Sequence, residues 1–476
     1  MQFVTDLHLH SKYSRAVSQD MVLPIMAKYA RQKGLDILTA SDWTHPLWFK
    51  EIQAQLEEKN DGIYVLKSEI RNPKSEMVRQ AHHLNHPERS RRTNPKAQNT
   101  NDQKETLFIL STEISSIYTQ NGKLRRIHNL VFAPNFEIAE KISKELVRRG
   151  CNLNADGRPI IGLSSKALLE FILSIDERTL LVPCHVWTPH FGMYGSASGF
   201  DSLDESFEEL SKYVYGIETG LSSDPEMNWQ IKELRNRTIL SFSDAHSPAK
   251  MGREATIMEL AEPTYESIRG AIMEKSQEKK GENRIVYSVE FYPEEGKYHF
   301  SGHRNCGISF GPDEIKEKGT VCPVCHKRLT DGVLNRLLQL ADKTLSHVTE
   351  TKTNQSGLKW YTDRSKHHPP YVKLVPLLEI IAESMHSTVA SQKVKNMFQT
   401  ITTQCGSELD VLLKTPIEEI AKAADSRIAE GVSKVRTGDI VIEPGFDGEY
   451  GKVKIWQEGK DPEKNTDNTA QMSLDI

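Results

Sequence analysis

Residues 3–10 read Phe-Val-Thr-Asp-Leu-His-Leu-His, an apolar, β-branched run that closes on two histidines two positions apart. Side chains alternate faces along a strand, so His8 and His10 share one face and both imidazoles can reach one metal ion. A lone pair of this kind is as often two surface or core histidines. A second copy of the pattern gives it weight: Ser243-Asp244-Ala245-His246 follows the apolar pair Ile239-Leu240. Between the two copies, Asp42, His45, Glu113, His128, His185 and Glu218 each follow or lie beside a strand-like segment. Together they predict a multinuclear metal site assembled from many strand ends.

Outward from that stretch, strand-like runs alternate with helical periodicity up to about residue 285. Strands are expected around residues 3–5, 35–38, 107–110, 127–132, 180–182, 215–217 and 238–240, and helices around 23–33, 136–149, 164–175, 227–236 and 265–275. Alternation of this kind implies parallel βα units, whose functional residues gather at the C-terminal ends of the strands. Residues 70–104 break the pattern. They are rich in Arg, Asn, Pro and His, lack an apolar period, and read as a disordered insertion. His82, His83 and His86 within it are more in keeping with an inert or DNA-brushing loop than with ligands.

The 476 residues allow roughly two to four domains. Hydrophobic residues make up 37%, charged residues 26%, and mean hydropathy is -0.52, values of an ordinary soluble chain. Apolar runs fall far short of the roughly 18 residues of a membrane span. The strand at the very N-terminus leaves no room for a secretory signal. A net charge of -4 restricts nucleic-acid contact to local basic patches. Six cysteines, partly clustered, point to a metal in a reducing compartment, hence a cytoplasmic protein.

Imidazole and carboxylate ligands together suit zinc or manganese. Glu113 can bridge two metals, and Asp244 can close a site that His8 and His10 begin. Closely spaced metals activate water and clamp phosphoryl oxygens, which fits phosphate-ester hydrolysis and not redox work. His190, in a Trp-Thr-Pro-His stretch, reads as packing.

The set resembles the PHP (polymerase and histidinol phosphatase) superfamily. The phrases DGRP (Asp156–Pro159), CHVWTP (Cys184–Pro189), ETGLSSDP (Glu218–Pro225) and SDAHSP (Ser243–Pro248) resemble the endonuclease Q family within it. That resemblance covers about residues 1–455 apart from the insertion. It implies a PHP-type distorted (β/α)7 barrel over 1–285, a small zinc-knuckle module over 286–332 and a helical DNA-handling domain over 333–455. It implies a metal-dependent DNA repair endonuclease that cuts 5′ of a deaminated base (uracil, hypoxanthine, xanthine) or an abasic site, after the nucleotide has been flipped from the stack. His8, His10, Glu113, His128, His185, Asp244 and His246 would be metal ligands for two to three divalent ions (Zn, Mn or Mg), with His10, Glu113 and Asp244 central to catalysis. Many PHP proteins carry Asp-His at the second motif where this chain has Asp42-Trp43, so the ligand there is Asp42 or His45. Arg158 and Arg253, in loops that follow the family phrases, are expected to contact phosphate.

Downstream, His303-x2-Cys306 and Cys322-x2-Cys325, 15 residues apart, have the spacing of a tetrahedral structural zinc. His326 is a competing fourth ligand with poor geometry. Cys151, Cys184 and Cys405 look isolated. Lys366–Tyr371 and Arg427–Arg436 mix basic and aromatic residues and fit either a DNA track or a solvated face. No G-x-x-x-x-G-K-[ST] loop occurs, which excludes a P-loop helicase. Beyond residue 456 the tail reads as disordered, and its end, with Gln471, Leu474 and Ile476, resembles a sliding-clamp-binding peptide. Two rivals remain at the level of sequence. One is a PHP phosphatase for a small phosphomonoester, which would not need the extra C-terminal modules. The other is a non-catalytic, clamp-tethered DNA-binding protein, which would lack metals at the rim.

Overall fold

The structure is a computed structural model that describes residues 1–71, 105–274, 281–345 and 349–457. The expected insertion histidines and the tail residues Gln471, Leu474 and Ile476 lie outside these residues. The protein is mixed α/β, built on a large central sheet with helices packed around it. The first strand, Gln2–Asp6, pairs in parallel with Ile37–Thr39, which pairs in parallel with Leu107–Gln120. On its other side Gln2–Asp6 runs antiparallel to Ala255–Glu259. Gly216–Glu218 and Thr238–Leu240 form a separate parallel pair. Past the end of the first strand, Leu9 bridges Ala245, and the His10 amide donates to the Ala245 carbonyl at 3.3 Å. The two copies of the sequence pattern therefore lie side by side.

One expectation fails. The units are not all parallel, because Leu107–Gln120 and Lys123–Ala133 form a long antiparallel hairpin, and Leu180–Pro183 pairs antiparallel to its second strand. Asn121 and Gly122 make the turn, both at positive φ (53° and 72°), the conformation that a two-residue hairpin turn demands. The Asn-Gly pair announces this hairpin in the sequence.

Helix ends follow their capping chemistry. Asn135 accepts from the Ile138 amide at the start of Phe136–Arg148, and Ser164 accepts from Ala167 at the start of Ser165–Ile175. Helix Leu23–Lys33 stops at Gly34 in the left-handed conformation. The stretch expected as one helix over 227–236 is a short helix, Pro225–Trp229, followed by a 3-10 turn, Lys232–Asn236.

The C-terminal region is not purely helical. Besides Leu377–Ser384, Gln392–Gln404, Glu408–Leu413, Ile417–Ala423 and Ser426–Thr437, it contributes strands Thr349–Thr353, Lys359–Asp363 and Tyr371–Lys373. These strands extend the large sheet through Arg284–Glu290. Aromatic and β-branched residues (Trp360, Tyr361, Tyr371, Val372) favour a half-buried sheet there. One contiguous apolar core joins Leu23 and Met26 to Val394 and Ile428. A buried ion pair, Lys33 Nζ to Glu408 Oε2 at 2.6 Å, fastens the first helix to the C-terminal helices. Arg436, in a stretch that the sequence fits to either a DNA track or a solvated face, is buried. Its guanidinium donates to the carbonyls of Leu412, Ser356, Val411 and Thr415, so it is a structural tie. Among the described residues no helix is long and apolar enough to cross a membrane.

Candidate metal centre

His8 and His10 sit just beyond the first strand, and both are fully buried. Each has its Nδ1 against a carboxylate: His8 with Glu218 Oε1 at 2.9 Å, His10 with Asp42 Oδ1 at 3.2 Å. Such a partner fixes the ring and leaves Nε2 as the free lone pair, the arrangement of a metal-ligating histidine. Both Nε2 atoms are buried and make no hydrogen bond, and neither does Asp244 Oδ1. They converge. His10 Nε2 lies 3.0 Å from Asp244 Oδ1 and 3.3 Å from Glu113 Oε2, and His8 Nε2 lies 3.7 Å and 3.8 Å from the same two atoms.

The other oxygen of Glu113 faces a second group. His185 Nε2 is 3.0 Å from Glu113 Oε1, His128 Nδ1 contacts the same oxygen, and the two imidazole nitrogens are 3.2 Å apart. Glu113 and His128 come from the two strands of the long hairpin, whose register sets Ser115 opposite His128. Glu113 therefore stands between two clusters of imidazole nitrogens, one at each of its carboxylate oxygens. His246 joins His10 and Asp244 in a third group, with ligand atoms within 4.8 Å of one another. Cys184, which the sequence leaves isolated, is within reach of this centre. Its Sγ lies 3.7 Å from Glu113 Oε1 and 3.6 Å from His185 Nε2. Its adjacency to His185 is the signal for it.

The electrostatics match a cation-binding hole. Burial opposes charge on His8 and His10, yet the surrounding carboxylates (Glu218, Asp244, Glu113 and Asp42) hold both imidazoles well above their usual range. Burial likewise opposes ionisation of Glu113, and His128 and Arg158 hold it well below the usual carboxylate range. The donor set of imidazole nitrogens and carboxylate oxygens, with unpartnered buried atoms at its focus, fits divalent metal ions. Three of these residues adopt positive φ although none is glycine: Asp42 (55°), His185 (32°) and Asp244 (46°). Each such residue costs on the order of 1–3 kcal/mol, and strain of this kind collects at functional sites.

Asp42 and His45 are placed differently. Asp42 Oδ1 faces His10 Nδ1, while Oδ2 accepts from the Ser11 amide (2.6 Å) and the Ser14 hydroxyl (2.9 Å). The DGRP loop passes directly above it, and a Cβ on Gly157 would stand 2.5 Å from Asp42 Oδ2, so only glycine fits. His45 caps helix Pro46–Gln55, accepting from the Trp48 amide, and stacks on Tyr13 with ring centroids 4.4 Å apart. Neither falls in the groups whose ligand atoms converge.

Beside the centre lies a cavity of about 400 Å³ lined by Ser115, Arg158, Thr188, Phe191 and Leu221. Arg158 Nη1 is 3.1 Å from Glu113 Oε2, and its guanidinium faces this cavity. Arg253 points elsewhere, donating through Nε to the Ser243 carbonyl (3.0 Å) and through Nη2 to that of Asp244 (3.4 Å). It braces the Asp244 turn together with Asp6, whose carboxylate accepts from the Ser243 amide and hydroxyl and the Gly252 amide. Asp6 and Arg253 in this role were not read from the sequence.

Far from the rim, His303, Cys306, Cys322 and Cys325 place one ligand atom each within 4.8 Å of the others. Burial and the neighbouring Cys325 and Cys322 thiols push the Cys306 thiol up to about 11. Only Phe310, Ile315, Cys322 and Leu329 form the apolar core of this module. His326 is outside the group. In the Lys366–Tyr371 stretch, His368 is buried and stacks on Trp229, and His367 Nε2 meets Arg235 Nη2 at 2.8 Å.

The family model for the MJ0043 C-terminal domain matches residues 376–439. The uncharacterized protein MJ0043 of Methanocaldococcus jannaschii is 31% identical over 276 residues, 56% of this chain and 31% of its own length. The chain thus spans about a third of that relative. Similarity to solved structures is longer. The crystal structure of the lesion-specific endonuclease PfuEndoQ from Pyrococcus furiosus superposes with a TM-score of 0.73 at 28% identity, covering 99% of this chain and 100% of that one. A complex of endonuclease Q with a 27-mer duplex substrate, an abasic lesion at its active site, superposes with a TM-score of 0.74 at 28% identity, covering 96% of this chain and 98% of that one. Likeness of fold and sequence at this level runs from one end of the chain to the other, so the chain is similar over nearly its whole length to solved endonuclease Q structures.

Proposed function

We propose that the chain is a metal-dependent DNA repair endonuclease that hydrolyses the phosphodiester 5′ of a deaminated base (uracil, hypoxanthine, xanthine) or an abasic site. The observation that carries this reading is the focus of unpartnered buried atoms, His8 Nε2, His10 Nε2 and Asp244 Oδ1, beside the Glu113 carboxylate. The likeness to an endonuclease Q complex with abasic duplex DNA supports the substrate. The strand order, with Leu9 bridging Ala245, supports a PHP-type distorted (β/α)7 barrel. His8, His10, Glu113 and Asp244 would hold one divalent ion, and Glu113, His128 and His185 a second. His246 is left to a third, which Asp42 and His45 do not serve. Bound there, divalent ions supply Lewis acidity toward phosphate oxygens and lower the pKa of water.

The chain's own groups do the rest. Glu218 and Asp42 orient His8 and His10, Arg253 and Asp6 hold the Asp244 turn, and Arg158 offers its guanidinium to a phosphate in the cavity. The cavity beside Phe191 is where a flipped nucleotide would stand. His303, Cys306, Cys322 and Cys325 would hold a structural zinc, since besides the ligand Cys322 only Phe310, Ile315 and Leu329 are buried in that small cluster, too few for an independent module. Gln471, Leu474 and Ile476 would recruit a sliding clamp.

The test is direct. The purified chain, supplied with Mn, Mg or Zn, is incubated with duplexes bearing a single uracil, hypoxanthine, xanthine or abasic site, and the nick is mapped at nucleotide resolution. A nick immediately 5′ of the lesion is expected. Intact DNA under every metal would overturn the proposal.

A further inference from the structure

Phe191 lines the catalytic cavity, and its neighbour in sequence, His190, is exposed and does not line it. The His190 ring meets Tyr298 edge to face, with centroids 6.1 Å apart at 81°. Tyr298 belongs to the four-ligand module, and its neighbour Lys297 holds Nζ 4.4 Å above the ring of Tyr450. Tyr450 is 71% exposed, far beyond what packing requires of a tyrosine. Arg304 completes the surface, because a Cβ on Gly448 would lie 3.2 Å from its Nη1 and 3.8 Å from the Tyr298 hydroxyl oxygen. Three parts of the chain thus present one continuous strip that leads away from the cavity. They are the loop after Leu180–Pro183, the module around residue 300 and the hairpin Val441–Glu443/Lys452–Lys454.

The strip is basic as well as aromatic. Lys297 and Arg304 have no carboxylate partner among the described residues, and neither has Lys452. The Asp447 carboxylate is already spent on the Arg304 amide and the Thr330 hydroxyl, and Glu449, next in sequence to Tyr450, is exposed. The first part of the strip is held in place, with Ser196 donating to the Asp331 carbonyl and Arg336 to that of Tyr194. Unpaired cations beside exposed rings are what sequence-independent strand binding uses: charge for phosphates, ring faces for bases.

The geometry points to His190, Tyr298, Lys297, Tyr450 and Arg304 as a track for the DNA strand flanking the cavity, with Tyr450 stacking on an unpaired base. This rests on the nuclease reading above, and it adds a surface remote from the metal centre that holds the substrate.

The full chain is titrated against a labelled duplex with one abasic site, over a series of salt concentrations. Tyr450→Ala is expected to weaken binding roughly 5- to 100-fold, and Tyr450→Phe to bind as wild type. The double variant Lys297→Gln/Arg304→Gln is expected to lower the slope of log K against log salt by about 1.8, ~0.9 for each phosphate released. Lys144→Gln, at an exposed lysine of helix Phe136–Arg148 that pairs with Glu140, serves as the unaffected control. If wild type nicks the duplex and Tyr450→Ala and the double variant bind it with wild-type affinity and slope, the track is wrong and the nuclease reading stands. If wild type neither binds nor nicks, both fall.

Discussion

Asp42 and His45 show how a residue's type can be legible while its task is not. The sequence places both at the second motif, and either is a chemically sound ligand. What decides between ligand and support is the third partner, which sequence does not display. Asp42 spends its oxygens on His10 Nδ1, the Ser11 amide and the Ser14 hydroxyl, and His45 accepts through Nδ1 from the Trp48 amide at a helix end. The meeting of His8 and His10 was legible because a spacing of two on extended chain fixes a common face, whereas Asp244, at positive φ, departs from that rule. If Asp42 orients His10, Asp42→Asn is expected to lower metal affinity and nicking about 10- to 100-fold, as removal of a ligand's support does. His45→Asn retains a good helix cap and is expected to leave both as they are. Calorimetric metal titration of the two variants checks this. A His45→Asn loss as large as that of Asp42→Asn would make His45 a ligand.

At the scale of elements, helix positions were legible from capping residues and apolar period, whereas strand direction was not. Alternating strands and helices predict parallel pairing, and only the Asn121-Gly122 turn reveals the antiparallel hairpin that carries Glu113 and His128. The strand Arg284–Glu290 carries a further consequence. Glu290 at its end is buried, and its carboxylate accepts from Ser288 and, at 2.5 Å, from Ser241. Burial, reinforced by Asp224, outweighs these hydroxyls and Lys373 and pushes the Glu290 carboxyl up to about 8 from its usual 4.5. Glu254, buried nearby with both oxygens unpartnered, is raised in the same direction. The folded state therefore binds more protons than the unfolded chain between these values. The contribution to stability is complete below 4.5 and is lost as pH rises towards about 8. Glu290→Gln is expected to flatten the decline in melting temperature across that interval. A variant whose pH profile matches wild type would refute this assignment.

For the whole molecule, the sequence divides the chain at residues 285 and 333, and the sheet ignores the second division. Tyr371–Lys373 pairs with Arg284–Glu290, and the core runs from the first helix to the last. Long-range pairing of this sort leaves little local trace, since each strand reads correctly only against its distant partner. The group of His303, Cys306, Cys322 and Cys325 is the exception, since the spacing in sequence pairs them and their ligand atoms lie within 4.8 Å of one another. Its small core makes a further expectation specific. Cys325→Ser is predicted to lower the metal content by one ion per chain, measured by native mass spectrometry, and to speed hydrogen exchange across residues 298–332. An unchanged metal count would show that these cysteines bind nothing.

The strand Ile63–Leu66 meets Leu107–Gln120 at the pair Tyr64 and Phe108, on either side of the longest break in the described chain. Both ends of the intervening segment are thus pinned by the same ladder, upstream of Glu113. Lengthening a connection whose ends are already joined costs only about 0.6 kcal/mol per doubling. Evolution, or an engineer seeking a place to graft a foreign domain, can therefore rewrite the span between residues 71 and 105 while Glu113 keeps its position.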